Sequence, residues 1–222
     1  MLTRTAWTRP AQRAAAGARA MVDLASMDFL TVDDGGFFGY APSARAVEAD
    51  NEYPAEVECV IDRAGHNYRL VRSGSGQLVL GPAPGTVDMG WLRASWAQLQ
   101  AQHPARYPLH RIVDEASDVQ FLAMLFDVLQ LAGDHPVPGG LWHVLLAGDD
   151  LRVESLRDAS TLLFQQARPQ DAVVRDPLGH DYRPEPKGHR ILGFTTGRYI
   201  LYTEQRRGRP ADHATKRRGD GG

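Results

Sequence analysis

A chain of 222 residues, 43% hydrophobic and 23% charged, has the composition of a globular protein and enough length for one large core or two small ones. Its formal net charge of -2 hides a segregation: residues 1–22 carry four arginines and no acid, and the segment from Glu204 onward carries six basic and three acidic side chains, so the body between is strongly acidic. Such a body excludes a nucleic-acid clamp built from the whole surface. The lack of any apolar run near the roughly eighteen residues of a membrane span excludes a transmembrane helix.

Cys59 is the only cysteine, which excludes an internal disulfide framework and any multi-cysteine metal site and fits a reducing, cytoplasmic setting. Lysine occurs only at Lys187 and Lys216 while arginine and alanine abound, the coding bias of a GC-rich bacterial genome.

Residues 1–26 are Arg- and Ala-rich and lack the apolar core of a secretory signal. Their acid-free, Arg-spaced character resembles an organelle transit peptide, against which the bacterial composition argues. A flexible extension is expected here, with Met21 and Met27 as alternative initiators. From residue 27 to 203 the pattern predicts a single α+β domain, mostly antiparallel β-hairpins packed with three main helices, with an internal boundary near 134–140.

Phe29-Leu30-Thr31-Val32 and Phe37-Phe38-Gly39-Tyr40 flank Asp33-Asp34-Gly35-Gly36 as a hairpin, and residues 41–54 read as loop with a helical turn. Residues 56–62 alternate, with Val57, Cys59 and Ile61 on one face, as a half-buried strand does. Tight turns at Asp62–Gly65 and Ser73–Gly76 lead to strands over 68–71 and 77–80. A helix over 88–103 places Leu92, Trp96 and Leu99 on one stripe and ends before Pro104. Residues 109–113 suit a short strand.

Ser117 and Gln120 form a capping box for the strongest helix, apolar at Val119, Leu122, Phe126 and Leu129 and widened by Phe121, Leu125 and Val128. Gly133 and Pro136 end it. Residues 141–147 are an apolar run that periodicity alone assigns to neither strand nor helix. Residues 149–167 are predicted as a helix, with Asp149 and Asp150 at its start. Strands over 191–194 and 199–203 form a last hairpin, and residues 204–222 a disordered basic tail.

One frame occurs twice: Asp62-x-x-Gly65-His66-Asn67-Tyr68-Arg69 and Asp176-x-x-Gly179-His180-Asp181-Tyr182-Arg183, each after an apolar run. Asp and Gly at this spacing are turn chemistry, Asp opening a type I turn and Gly supplying the positive φ that closes the hairpin. The repeat suggests an internal pseudo-duplication. It also supplies the candidate binding residues: His66, Tyr68, Arg69, His180, Tyr182 and Arg183. An arginine would clamp an anion, a histidine donate a proton and a tyrosine hydrogen-bond. Strand alternation splits them, His66 and Tyr68 on one face and Arg69 on the other, and likewise His180 and Tyr182 against Arg183. That split favours a structural role over a catalytic one, so no catalytic residue is assigned.

The histidines at 66, 103, 110, 135, 143, 180, 189 and 213 are scattered without a metal-binding spacing, so neither a metal nor a cofactor is expected. Cys59, inward with Val57 and Ile61, reads as a small core residue.

Two short resemblances add alternatives. Arg206-Arg207-Gly208-Arg209-Pro210 resembles the core of an AT-hook, although Arg206 stands where that family has a proline. The resemblance covers four residues and implies Arg207 and Arg209 in a narrow A·T minor groove, with Lys216, Arg217 and Arg218 on phosphates. The strands at Arg190-Ile191-Leu192 and Tyr199-Ile200-Leu201-Tyr202 resemble the C-terminal strands of small microbial ribonucleases. That family's catalytic glutamate would fall where Arg175 stands, and its histidine would be His213, in the tail.

The reading that follows is a non-catalytic interaction module with a protein partner and no membrane contact. The alternatives are a hydrolase or nuclease using His, Tyr and Arg at the repeated hairpins, and a DNA-associated protein tethered by its tail.

Overall fold

The computed structural model describes residues 27–112, 116–133, 135, 137–191 and 194–205. The predicted N-terminal extension and the tail from residue 206 onward, and with them Arg207, Arg209 and the AT-hook-like run, lie outside the described residues, while Glu204, expected as the start of the tail, is the last residue of a strand. The fold is α+β, with four helices and three mostly antiparallel sheets among the described residues. No helix among the described residues is long and apolar enough to cross a membrane.

In chain order, β1 (Phe29–Asp33) and β2 (Phe38–Ala41) form a hairpin, followed by α1 (Ala44–Ala49) capped by Ser43, a 3-10 turn (Pro54–Glu56), β3 (Val57–Ile61) and β4 (His66–Tyr68). Then come β5 (Leu70–Arg72), β6 (Leu78–Leu80), β7 (Gly85–Thr86), α2 (Met89–Gln102), β8 (Leu109–His110) and α3 (Asp118–Ala132). The last part repeats the first: hairpin β9 (Trp142–Leu146) and β10 (Asp149–Val153), α4 (Leu156–Phe164) capped by Ser155, a 3-10 turn (Pro169–Asp171), β11 (Val173–Arg175), then β12 (Asp181–Ile191) and β13 (Phe194–Glu204).

The strand orders coincide. One sheet runs β2-β1-β3-β4-β7 and the other β10-β9-β11-β12-β13-β8, with β5 and β6 as a separate pair. Each unit is therefore a hairpin, a serine-capped helix, a proline-led 3-10 turn and a strand that returns to the hairpin's first strand. The Asp-x-x-Gly turn joins that strand to the next. The pseudo-duplication is one of topology as well as of motif.

Two helices and β8 separate the units, and α3 packs on β1 and β2. One core cluster joins both halves, drawing Leu30, Val32 and Ile61 from the first unit, Phe121, Leu125 and Phe126 from α3, and Trp142, Val144 and Tyr182 from the second. A smaller cluster lies on the other face of the first sheet, where Phe29, Val60, Tyr68 and Leu70 meet Val47 of α1. The sheet is thus covered on both sides. That is why β3 buries Val57, Cys59, Val60 and Ile61 together rather than alternating as a half-buried strand does.

Several local expectations change. The helix predicted over 149–167 begins only at Leu156, and Asp149 and Asp150 are strand. Ala147 (φ 54) and Gly148 (φ 96) make a two-residue turn of the kind that joins antiparallel strands, and Ser155, not Asp149, accepts the first helical amide. The run 141–147 is resolved as a strand by the same turn. The strand expected over 68–71 breaks after Tyr68, and Leu70–Arg72 pairs with β6 instead of continuing in the first sheet. The loop 41–54 contains α1. Val119, expected on the apolar stripe of α3, is 76% exposed.

Candidate functional site

The two Asp-x-x-Gly turns have the same construction. In the first, the Gly65 amide donates to the Asp62 carbonyl at 2.9 Å and the Asp62 amide to the His66 carbonyl at 3.1 Å, with Gly65 at φ 82. In the second, Gly179 donates to Asp176 at 3.0 Å and Asp176 to His180 at 2.9 Å, with Gly179 at φ 91. Each aspartate does more than open the turn. It is almost fully buried, 1% exposed at Asp62 and 2% at Asp176.

Its Oδ1 accepts two backbone amides at 2.9 Å each, those of Ala64 and His66 in one copy and of Leu178 and His180 in the other. Its Oδ2 accepts the tyrosine hydroxyl, from Tyr68 at 3.0 Å and from Tyr182 at 2.9 Å. A buried carboxylate is tolerated only where its lone pairs are occupied and its charge is answered.

The copies differ in the side chain that answers it. His66 donates from Nδ1 to Asp62 Oδ2 at 2.8 Å, a carboxylate being able only to accept. In the second copy His180 turns away to Glu204 Oε1 at 2.7 Å, and Arg111 takes its place, Nη2 reaching Asp176 Oδ2 at 2.7 Å. Arg111 also donates from Nε to the Tyr182 hydroxyl at 2.8 Å and from Nη1 to Asp127 of α3 at 3.1 Å. The Arg111 side chain is only 3% exposed.

The first turn reaches α3 too. Arg63 is held by Asp28 through Nε and Nη2, and its guanidinium lies 4.5 Å from the centre of the Phe126 ring. Asp127 also raises the Arg63 pKa, behind the larger effects of Asp28 and burial. Both turns are thus anchored to neighbouring residues of one helix, Phe126 and Asp127.

The electrostatics follow from this wiring. Burial opposes the charge on Asp62, but the bonds from the His66 side chain, the His66 backbone amide and Tyr68 outweigh it and hold the carboxyl below its ordinary range. Burial and the bond to Asp62 push the Tyr68 hydroxyl up to about 12. Burial raises Tyr182 still further, and although it works against the Arg111 charge, Tyr182 and Asp176 more than restore it. Burial pushes the Cys59 thiol to about 12, as suits a core side chain and not a nucleophile. His110, whose Nε2 is buried without a hydrogen-bond partner, is drawn below the usual histidine range by burial, against the bond to the Tyr107 backbone.

These shifts give an acid limb in two stages. A depressed folded pKa contributes stability that is present above the unfolded value and is lost as pH falls through the folded one. Thermal midpoints are therefore expected to fall first below about pH 6.5, where His110 of the unfolded chain gains a proton that burial resists in the fold, and again below about pH 4, where Asp62 of the unfolded chain does. A pH series of melting curves measures this, and Asp62→Asn should flatten the second stage.

Of the six candidate binding residues, the turns consume most. Tyr68 and Tyr182 are buried donors to their aspartates, and His66 and His180 each give Nδ1 to a carboxylate. His66 and Tyr68 do share a face, both meeting Asp62 Oδ2. Arg69 and Arg183 are exposed. Neither histidine lines any of the three cavities described here.

Arg111, Asp127 and the buried role of the aspartates are not legible in the repeat itself. Arg111 follows a two-residue strand 65 positions from Asp176, and nothing local marks it. Among the described residues no group of three or more His, Cys, Asp or Glu is arranged to hold a metal ion.

The largest of the three cavities belongs to the second unit. A space of about 500 Å³ opens between the C-terminal end of α4, the second 3-10 turn and the β12–β13 hairpin, lined by Phe164, Gln166, Gln170, Pro186, Lys187 and Arg198. In the first unit the equivalent corner is filled, because β6 folds onto α1. There the Leu80 amide donates to Glu48 of α1 at 3.0 Å, and Leu80 packs against the cluster of Val47 and Leu70. Smaller cavities of about 240 and 280 Å³ lie beside Gly65 and Leu122 and beside Tyr40 and His135.

Arg183 lies on the same face of β12 as Lys187, with Glu185 between them bonded to Lys187 at 2.9 Å. The fold is α+β with a repeated unit. Compared with family models, curated proteins and solved structures, the chain matches none.

Proposed function

We propose that this chain is a non-catalytic interaction module that binds a macromolecular partner through its second unit. The observation that carries the reading is the groove of about 500 Å³ at a position that the first unit fills with its own β6. Its lining joins the exposed Phe164 and the prolines Pro169 and Pro186 to Lys187 and Arg198. This suits a protein segment with an apolar anchor flanked by acidic side chains. The repeated hairpin serves binding by what it holds in place. Both tyrosines are bonded to their turn aspartates, His66 to Asp62 and His180 to Glu204, which supports a scaffold role for the hairpin.

The test is retention of a partner by the full chain purified from its native cell, compared with the variant Lys187→Glu/Arg198→Glu. Both side chains are at the surface, and the Lys187–Glu185 pair is screened by solvent, so the melting midpoint should barely move. Loss of the partner that the wild type retains is the expected result. Equal retention by the variant removes the groove from the account.

A further inference from the structure

A second difference between the units lies at their outer edges. Each sheet begins with the second strand of its hairpin, β2 in one and β10 in the other. In the first unit that edge is closed from within the chain. The Phe38 amide donates to the Tyr107 hydroxyl at 3.0 Å, and the same hydroxyl donates to the Phe38 carbonyl at 2.9 Å. Strand β2 is buried at Phe38 and Ala41, and α3 packs on it.

In the second unit β10 is exposed from Asp149 to Arg152, and among the described residues nothing pairs with its outer side. It has no proline, lysine or register shift of the kind that blunts natural edge strands, and its charged side chains, Asp149, Asp150 and Arg152, are of both signs.

The register says which groups face outward. Leu146 opposes Asp149 across the two-residue turn, Val144 opposes Leu151 and Trp142 opposes Val153. In a two-residue hairpin the residues flanking the turn form a hydrogen-bonded pair, and such pairs recur at every second position. Asp149, Leu151 and Val153 therefore bond inward to β9, and the amides and carbonyls of Asp150 and Arg152 point away from the sheet. A second strand laid antiparallel along this edge would be bonded at those two residues.

We propose that the occupant is β10 of a second copy of this chain, paired about a twofold axis at Leu151. In that register Asp150 faces Arg152 of the second copy and Arg152 faces its Asp150. Four backbone hydrogen bonds form at the outward-facing residues, and two opposite-charge pairs lie on one face. On the other face Leu151, 38% exposed in the single chain, meets its own counterpart. The two six-stranded sheets become one continuous sheet.

The charges also select this arrangement. A twofold axis at Asp150 sets aspartate against aspartate, and one at Arg152 sets arginine against arginine. Only the central position satisfies both. A symmetric contact of this kind closes at two copies, since each chain commits its single β10 edge to it and only the two-residue β8 ends the joined sheet on either side. It uses neither the groove residues nor the repeated turns, and it stands apart from the groove reading.

Sedimentation velocity on the full chain over a range of concentrations tests the proposal. The wild type is expected to sediment as a dimer of the 24.5 kDa chain. Arg152→Asp places two aspartates opposite each other at both symmetric contacts and should weaken association by about tenfold or more. The exchanged variant Asp150→Arg/Arg152→Asp restores opposite charges across the axis and should associate as the wild type does. The Arg152 and Asp150 side chains are 64% and 42% exposed, the exchange also removes the bond from His143 Nδ1 to Asp150 at 2.8 Å, and a melting curve on each variant checks that the chain stays folded. A wild type that is monomeric throughout, including one whose edge takes a strand from another protein, overturns the proposal. So does association indifferent to Arg152→Asp, or an exchanged variant that stays dissociated.

Discussion

Asp176→Asn is expected to lower stability by about 3–5 kcal/mol, several times the loss from Asp62→Asn, although the two aspartates sit in turns of the same construction. The contrast rests on what surrounds Oδ2. In either variant the remaining oxygen still accepts the two turn amides, and the new amide nitrogen replaces the other oxygen. At Asp62 that nitrogen faces the Tyr68 hydroxyl and His66 Nδ1, and both can turn from donor to acceptor, the hydroxyl by rotation and the imidazole by changing tautomer. The cost there should be about 1 kcal/mol, that of an ordinary hydrogen bond.

At Asp176 the nitrogen faces Arg111, which has no acceptor to offer and whose side chain is 3% exposed. Among the described residues Asp127 is the carboxylate that remains to it, at 3.1 Å and on the more exposed side. A buried guanidinium that has lost its closer partner is among the most destabilising changes available to a single substitution. Urea denaturation of the two variants measures both values, and equal losses contradict the assignment of Arg111 as the cation of the second turn.

Tyr107→Phe is expected to cost about 2–4 kcal/mol. Tyr107 is 2% exposed, and its hydroxyl is both acceptor for the Phe38 amide and donor to the Phe38 carbonyl. Phenylalanine keeps the ring against Trp96, centroids 5.2 Å apart, and removes only the oxygen. Two buried backbone groups then lose their partner, at about 1–3 kcal/mol each. A change in denaturation midpoint within about 0.5 kcal/mol of wild type would mean that water replaces the hydroxyl and that the first edge is less closed than described.

The sequence made the fold class legible because its strongest signals are local. The capping box at Ser117 and Gln120, Asp88 ahead of the second helix and the Asp-x-x-Gly turns all appear where those residue types place them. Strand β10 was not legible. Asp149 and Asp150 suit a helix start as well as an edge strand, and the deciding feature is a non-glycine residue, Ala147, at positive φ, which no pattern of residue types announces.

The repeated motif was legible as a turn but not as a buried charge centre, because the partner that separates the two copies comes from Arg111, far along the chain. The matching order of serine cap, proline-led 3-10 turn and aspartate in the two units was present in the sequence. It becomes visible as a repeat only once the strand orders are compared. The groove could not be read at all, since it is defined by a hairpin that fails to fold onto its helix where the first unit's does.

The central claim is that the second unit's groove, and not the repeated hairpin, makes the binding surface. The most direct measurement compares partner retention from the native cell by three full-length proteins: the wild type, Lys187→Glu/Arg198→Glu, and His66→Gln/His180→Gln. The account predicts that the histidine variant keeps the partner and the charge-reversed variant loses it. The reverse result, with the partner lost on replacing the two histidines and kept on reversing the groove charges, contradicts it.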